Sequence, residues 1–425
     1  MTTATTPATT EDETPPVPTP QPREFGTAVN DYIARVRGGD VGSLPAVLGL
    51  VALAIVFSIL RPHTFTNAFN IANLVNQASA VIVIAMGVIF VLLLGEIDLS
   101  AGWTAGVAAA YMGVAATRHG WPWWAAIIAC LLTGAVVGTV IGLLVARLGV
   151  PSFVVTLAFF LGLQGVLLKT IGEGGTIPIR DSKLLAINNN TMPVWLGWTL
   201  YVVIIALYAA VSLRRAASRR AGGLLSEGVS VVIGKVVVLA VLLGLVTFYL
   251  STERSRNPQV SSIKGVPEVV LLLVILLVGL NFVLSKTRFG RHVYAVGGNA
   301  EAARRAGINP KQIKLFCFII GSTLASVGGI LLASRDNSIS PTTGGSDTLL
   351  YAVGAAVIGG TSLFGGKGKI LDAILGGLVI ATITNGMGLL NQPTSVVYVV
   401  TGLVLLIAAS VDALSRRRAA STGRV

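Results

Sequence analysis

Apolar residues occupy this chain in twelve long blocks, and polar residues collect almost entirely between them. The blocks lie near 43–60, 71–94, 100–117, 123–146, 152–170, 194–213, 230–250, 267–285, 312–333, 348–364, 370–390 and 396–413. Each is about 17 to 25 residues long, enough to cross about 30 Å of hydrocarbon as a helix that satisfies its own backbone groups without water. The pattern predicts an all-α, polytopic integral membrane protein with about 10–12 transmembrane helices. The glycines of the 348–364 block also suit a re-entrant or broken helix. Residues 1–42 are rich in Thr and Pro and read as a disordered or surface-lying tail. Within it, Phe25–Arg37 is either an amphipathic surface helix or a polar lead-in. With no apolar stretch near the start, no cleaved signal peptide is expected.

Composition agrees with this reading. The chain is 53% hydrophobic and 12% charged, where a soluble domain carries about 25% charged residues, and its mean hydropathy is +0.80. The net charge of +13 raises the question of nucleic acid. If the N-terminus is cytoplasmic and all twelve blocks cross, 21 of the 31 Lys and Arg residues fall in inside connections and 9 outside, with Lys235 at a span edge. The basic excess is then topological. It places both termini in the cytoplasm, including the basic tail 416–425, and argues against a nucleic-acid partner. Cys130 and Cys317 lie in or beside apolar blocks, and His63, His119 and His292 are scattered, so no metal or disulfide framework is expected. Trp103, Trp121, Trp123, Trp124, Trp195 and Trp198 sit near block ends, as an interfacial aromatic belt requires; stacking on a sugar ring is the alternative.

One charged, glycine-punctuated island, Thr287–Lys314, separates two blocks on the expected cytoplasmic side. Asn299 can cap a very short helix over about 300–306, with Glu301 in its first turn, Ala302 and Ala303 in its middle, and Arg304 and Arg305 in its last turn. Gly307 is placed to end it in the left-handed conformation, and Asn309-Pro310 starts the next helix. Helices shorter than about 12 residues are marginal alone, so this one needs a surface to lie against, unless it is an ordinary loop with one helical turn.

The remaining polar chemistry is sparse. Gly95-Glu96-Ile97-Asp98-Leu99-Ser100 places two carboxylates at a block end, suited either to a proton or cation site or to a capping turn for the next helix. Asn76, Gln77, Gln164 and Asn385 lie within blocks and suit either a hydroxylated solute or interhelical hydrogen bonding. Gly134, Gly138 and Gly142 form a small-residue stripe for close helix packing. Gly359, Gly360, Thr361, Gly365 and Gly366 mark a helix break or gate. The Gly366-Lys367 pair lacks the spacing and the strand of a phosphate-binding loop. No other nucleotide-binding or hydrolytic signature occurs, so no catalytic residue is expected and the chain reads as a non-enzyme.

Four ordered motifs resemble those of the monosaccharide permeases of bacterial ABC importers, the ribose/xylose/arabinose/galactose group. They are GEIDLS at 95–100, YAVGGNAEAARRAGIN at 294–309, AAVIGGTSLFGGKG at 355–368, and Asn385-Gly386. The resemblance spans about residues 43–415 and implies a transmembrane permease domain with a cytoplasmic coupling loop at 286–311. It also implies a fold like the second structural type of ABC importer, in the bacterial plasma membrane. The partners implied are a second copy of the chain, a cytoplasmic ATPase that binds the ATP and Mg, an extracytoplasmic sugar-binding protein and the lipid bilayer; no cofactor is implied in this chain. The 299–307 helix then resembles the coupling helix that lies in a groove of the ATPase. Glu96, the sequence Leu350-Tyr351-Ala352-Val353 and the extra region 195–285 look most like the D-xylose permeases. Asp347, followed by Thr348, departs from the Glu that many relatives carry there. The expected activity is sugar import by alternating access. The rival reading is an ion-coupled secondary transporter using Glu96 or Asp98, and a third is a membrane anchor whose island recruits a soluble protein.

Overall fold

The computed structural model describes residues 42–172, 174–222, 228–255, 257–259 and 262–421. The tail expected over residues 1–42, apart from residue 42, and the last four residues of the basic tail lie outside them. Every apolar block is a helix. In chain order they are α1 (Leu44–Leu60), α2 (Ala68–Leu92), α3 (Ala101–Gly113, continued by a π-helical turn Val114–Arg118), α4 (Trp123–Ala146) and α5 (Ser152–Ile171). A short α6 (Ser182–Asn189) precedes α7 (Val194–Ala221), α8 (Val229–Ser251) and α9 (Val269–Lys286). Two short helices, α10 (Arg288–Gly298) and α11 (Ala300–Arg305), lead to α12 (Pro310–Asp336), α13 (Ser346–Gly359), α14 (Ile370–Leu389) and α15 (Thr394–Ser421). Nine of the described helices are long and apolar enough to cross a membrane; α1 and α13 are shorter. The basic residues from 416 onward begin within α15 and not as a separate tail.

Two compact units form, Tyr201–Gly244 and the rest of the described chain. In the larger unit, the apolar windows of α2, α14 and α12 are 78%, 72% and 67% buried, against 6% for α15. The first three therefore build the core, and α15 turns its side chains outward. The α4 glycine stripe packs on α12: a Cβ on Gly134 would lie 2.5 Å from the Ser322 carbonyl, and one on Gly138 2.5 Å from that of Phe318. Any larger residue would push these backbones apart.

The glycine-interrupted block is a half-length helix. At 14 residues, α13 is about 21 Å long, and Gly360 ends it at φ +117°. The chain reaches it through β2 (Ser338–Ile339), which pairs with β1 (Ile177–Pro178), and a buried turn at Thr343–Gly345. That turn lies against α3, where a Cβ on Gly106 would meet the Thr343 carbonyl at 2.2 Å. Irregular backbone is tolerated in such a bundle where protein covers it. Trp103 departs from the expected belt: it is 5% exposed and meets the Phe160 ring edge-on at 5.9 Å. Trp121, Trp123, Trp124 and Trp195 are exposed as expected. Trp103 lies one turn into α3, which is walled in by neighbouring helices and by the 343–345 turn.

Candidate functional site

The island between α9 and α12 folds as two helices. Thr287 caps α10, its hydroxyl accepting from Gly290 N at 3.2 Å, and Gly290, Val293 and Val296 turn into the core. The Asn299 side chain accepts from Ala302 N at 2.9 Å and caps α11. Gly307, at φ +83°, reverses the chain, and Asn309 caps α12 by accepting from Lys311 N at 3.1 Å. Of the α11 side chains only Ala303 is buried; Glu301, Ala302, Arg304 and Arg305 face outward. Arg304 donates to Glu301 at 2.9 Å and Arg305 at 3.3 Å, and these bonds hold the Glu301 carboxyl below the ordinary carboxylate range. Exposed pairs of this kind add little stability. They shape a surface.

Three of the four sequence motifs meet beside this island. Gly297, near the end of α10, lies against the turn that follows α2: a Cβ there would sit 1.8 Å from the Leu93 carbonyl and 2.9 Å from Gly366 N. Only glycine allows the approach. Gly366 N donates to the same Leu93 carbonyl at 2.9 Å, so the glycine loop closes the contact from a third direction. A Cβ on Gly365 would stand 2.8 Å from the Gly297 carbonyl. Tyr294 donates to the Gly368 carbonyl at 2.7 Å, and Lys314 of α12 pairs with Glu96. Asp372 accepts from Thr361 Oγ1 at 2.9 Å and from Lys369 N at 2.8 Å, fixing the loop to the start of α14. Gly359 packs where a Cβ would be 2.0 Å from the Asp372 carbonyl.

The carboxylates of the 95–100 motif have structural partners. Besides the Glu96–Lys314 pair, Asp98 accepts from Ser100 N at 2.8 Å and Ser100 Oγ at 2.6 Å, a side-chain turn that leads into α3. Ile97 N donates to Ser152 Oγ at 3.3 Å. Neither acid is among the residues that line the 650 Å³ cavity between the helices.

A cavity of about 650 Å³ lies between α2, α12, α13, α14 and α15. Its wall includes Gln77 and Asn385 from the sequence candidates, together with Asn70, Asn73, Thr348, Tyr351, Thr384 and Tyr398. Asn70 and Asn385 exchange two amide hydrogen bonds of 2.9 and 3.0 Å, and Asn385 also donates to Gln77 at 3.4 Å. Asp347, where the sequence departs from its relatives' Glu, accepts a bond from Tyr398. Asn76 and Gln164 do not line this cavity: the Asn76 carbonyl accepts from Asn188 Nδ2 at 3.4 Å, and Gln164 is half-buried on α5. Asn70, Asn73 and Gln77 fall three and four residues apart on one face of α2. That polar stripe is readable in the sequence, although only Gln77 stands out there.

The cavity lining, among the described residues, consists mainly of amide, hydroxyl and apolar side chains. Among the described residues, no three His, Cys, Asp or Glu converge to hold a metal ion. The chain is a multi-pass membrane permease of the class that serves bacterial ABC importers. More specifically, a family profile described as "Branched-chain amino acid transport system / permease component" matches residues 70–409, and the chain belongs to that family. It is 34% identical to the xylose transport system permease protein XylH of Escherichia coli over 372 residues, 88% of this chain and 92% of that one. The ribose import permease protein RbsC of Escherichia coli is 29% identical over 371 residues, covering 86% and 92%. The fructose import permease protein FrcC of Rhizobium meliloti is 28% identical over 381 residues, covering 89% and 88%. No solved structure matches the chain.

Proposed function

We propose that this chain is the translocating subunit of an ATP-driven importer of a monosaccharide, with a pentose such as D-xylose as cargo. The three relatives named above are permeases for xylose, ribose and fructose, whereas the family description names amino acids. The cavity chemistry favours the former. An amino-acid zwitterion calls for a fixed partner for each of its charges, but the wall carries mainly amides and hydroxyls, and its Arg335–Asp336 pair is internally neutralised at 2.9 Å.

Two copies of the chain enclose the pathway, a sugar-binding protein delivers from outside, and both termini and the island face the cytoplasm. There α11 is the coupling helix, resting in a partner ATPase that binds ATP and Mg. The observation that carries this reading is the junction. It ties the exposed α11, through α10 and Gly297, to the turn that ends α2, and the other half of α2 carries Asn70 and Gln77 in the cavity wall. Closure of the ATPase pair displaces α11, and the close-packed contacts pass that displacement to α2 and α14, whose Asn385 faces Asn70. Access then alternates between two states. The ion-coupled reading is not favoured, because Glu96 is paired with Lys314 and Asp98 with Ser100, and neither acid lines the 650 Å³ cavity.

Affinity purification of the tagged chain from its native membrane tests the proposal. A cytoplasmic ATPase is expected to accompany the wild-type chain and to be lost with Glu301→Lys, while membrane levels of the chain stay unchanged. Recovery of the wild-type chain alone, or equal recovery of the ATPase with the variant, contradicts the docking surface.

A further inference from the structure

The wall of the 650 Å³ cavity carries polar groups of two kinds. An asparagine amide has two N–H donors, and Asn70 spends both, on the Phe65 carbonyl at 3.0 Å and on Asn385 Oδ1 at 2.9 Å. Asn385 likewise spends both, on Asn70 Oδ1 at 3.0 Å and on Gln77 Oε1 at 3.4 Å. Thr384 donates back to the Ile380 carbonyl of its own helix, Tyr398 donates to Asp347, and Arg335 pairs with Asp336. These groups brace the wall.

The others are uncommitted. Among the described residues, the Asn73 amide, the Gln77 Nε2 group and the hydroxyls of Thr348, Tyr351 and Thr394 make no hydrogen bond, although all five residues line the cavity. Asn73 and Gln77 stand four apart on α2, and Thr348 and Tyr351 three apart on α13, so each pair shares a helix face. The two helices pack against each other, and Val81, Leu332, Ile380 and Val397 add apolar wall to the same cavity. The lining comes mainly from the starting halves of α2, α13 and α15 and the final halves of α12 and α14. Those are the ends that the transport reading places outside.

We propose, resting on that reading, that Asn73, Gln77, Thr348 and Tyr351 form a monosaccharide subsite at the outer end of the pathway, which receives the sugar and reads its ring hydroxyls. The Asn70–Asn385 pair braces α2 against α14 beside it. Amides and hydroxyls both donate and accept, as sugar hydroxyls do, and the aliphatic wall suits the carbon faces of the ring. The cavity volume of about 650 Å³ falls within the roughly 300–1,000 Å³ of small-molecule pockets. Each hydrogen bond to the sugar replaces one to water and nets little. The subsite is therefore weak, and releases its cargo inward.

Saturation-transfer NMR of the purified full-length chain in lipid nanodiscs, titrated with D-xylose, tests it. The wild-type chain is expected to bind D-xylose, and L-leucine is expected not to displace it. Asn73→Leu, Thr348→Val and Tyr351→Phe each weaken binding about 2- to 10-fold, the loss of one hydrogen bond. They leave the unfolding temperature unchanged, because no protein group loses a partner. Gln164→Leu, on α5 outside the cavity, leaves binding unchanged. Should one variant fail to fold, the other two decide. Wild-type chain that supports ATP-driven xylose uptake with its partners yet binds no sugar alone overturns the subsite while the transport reading stands. Unchanged binding in all three cavity variants does the same. Displacement of xylose by L-leucine, or no ATP-driven uptake by the wild-type chain, overturns the transport reading and the subsite with it.

Discussion

A single absent methyl group decides whether the motif junction closes. Gly297 and Gly298 are indistinguishable in the sequence, yet a Cβ on Gly297 would meet the Leu93 carbonyl at 1.8 Å and one on Gly298 would meet nothing within 4 Å. Gly297→Ala is therefore expected to destabilise the purified chain by about 1–3 kcal/mol, and Gly298→Ala to change it by less than about 0.5 kcal/mol, as read by thermal unfolding in detergent. Equal effects would show that the close approach is absent. Glu96 illustrates the same limit on what a sequence can show. The residue drew attention as an ion site, but its partner Lys314 is 218 positions away and nothing local announces it. Charge reversal tests the pair: Glu96→Lys and Lys314→Glu should each impair the protein and together restore part of the loss, with a coupling of about 0.5–3 kcal/mol. Strictly additive losses would remove the clasp from the account.

Among the elements, α11 was the most legible. Asn299, Gly307 and Asn309-Pro310 are local signals, and each acts through its own backbone, so no tertiary information was needed to place the helix. Its neighbour α10 was missed, although Phe289, Val293 and Val296 follow one another at helical spacing, because the charges of the island dominate the pattern. The half-length α13 was legible only as an alternative, since what ends it is the glycine pair and what begins it is a turn held against α3. At Gly307 a side chain must adopt the left-handed region at a cost of about 1–2 kcal/mol. Gly307→Val is expected to leave the chain in the membrane at normal level while sharply reducing sugar moved per ATP hydrolysed in reconstituted vesicles. Normal stoichiometry in that variant would deny α11 its coupling role.

For the whole molecule, hydropathy alone located every spanning block, because the cost of exposed backbone in lipid leaves few alternatives to helix. It did not reveal which helices enclose the cavity. The Asn70–Asn385 pair joins residues 315 apart, and which helices are neighbours depends on packing that no local pattern encodes. Orientation is testable by impermeant thiol labelling, since the native Cys130 and Cys317 are both buried. Ala302→Cys should react only from the cytoplasmic side and Trp121→Cys only from outside; the reverse pattern would invert the topology. The most direct test of the central claim is uptake into proteoliposomes that contain the chain, its ATPase and its sugar-binding protein. Labelled xylose should accumulate only when ATP is supplied on the α11 side, and a proton ionophore should not change it. Uptake that persists without ATP and collapses with the ionophore would contradict the account.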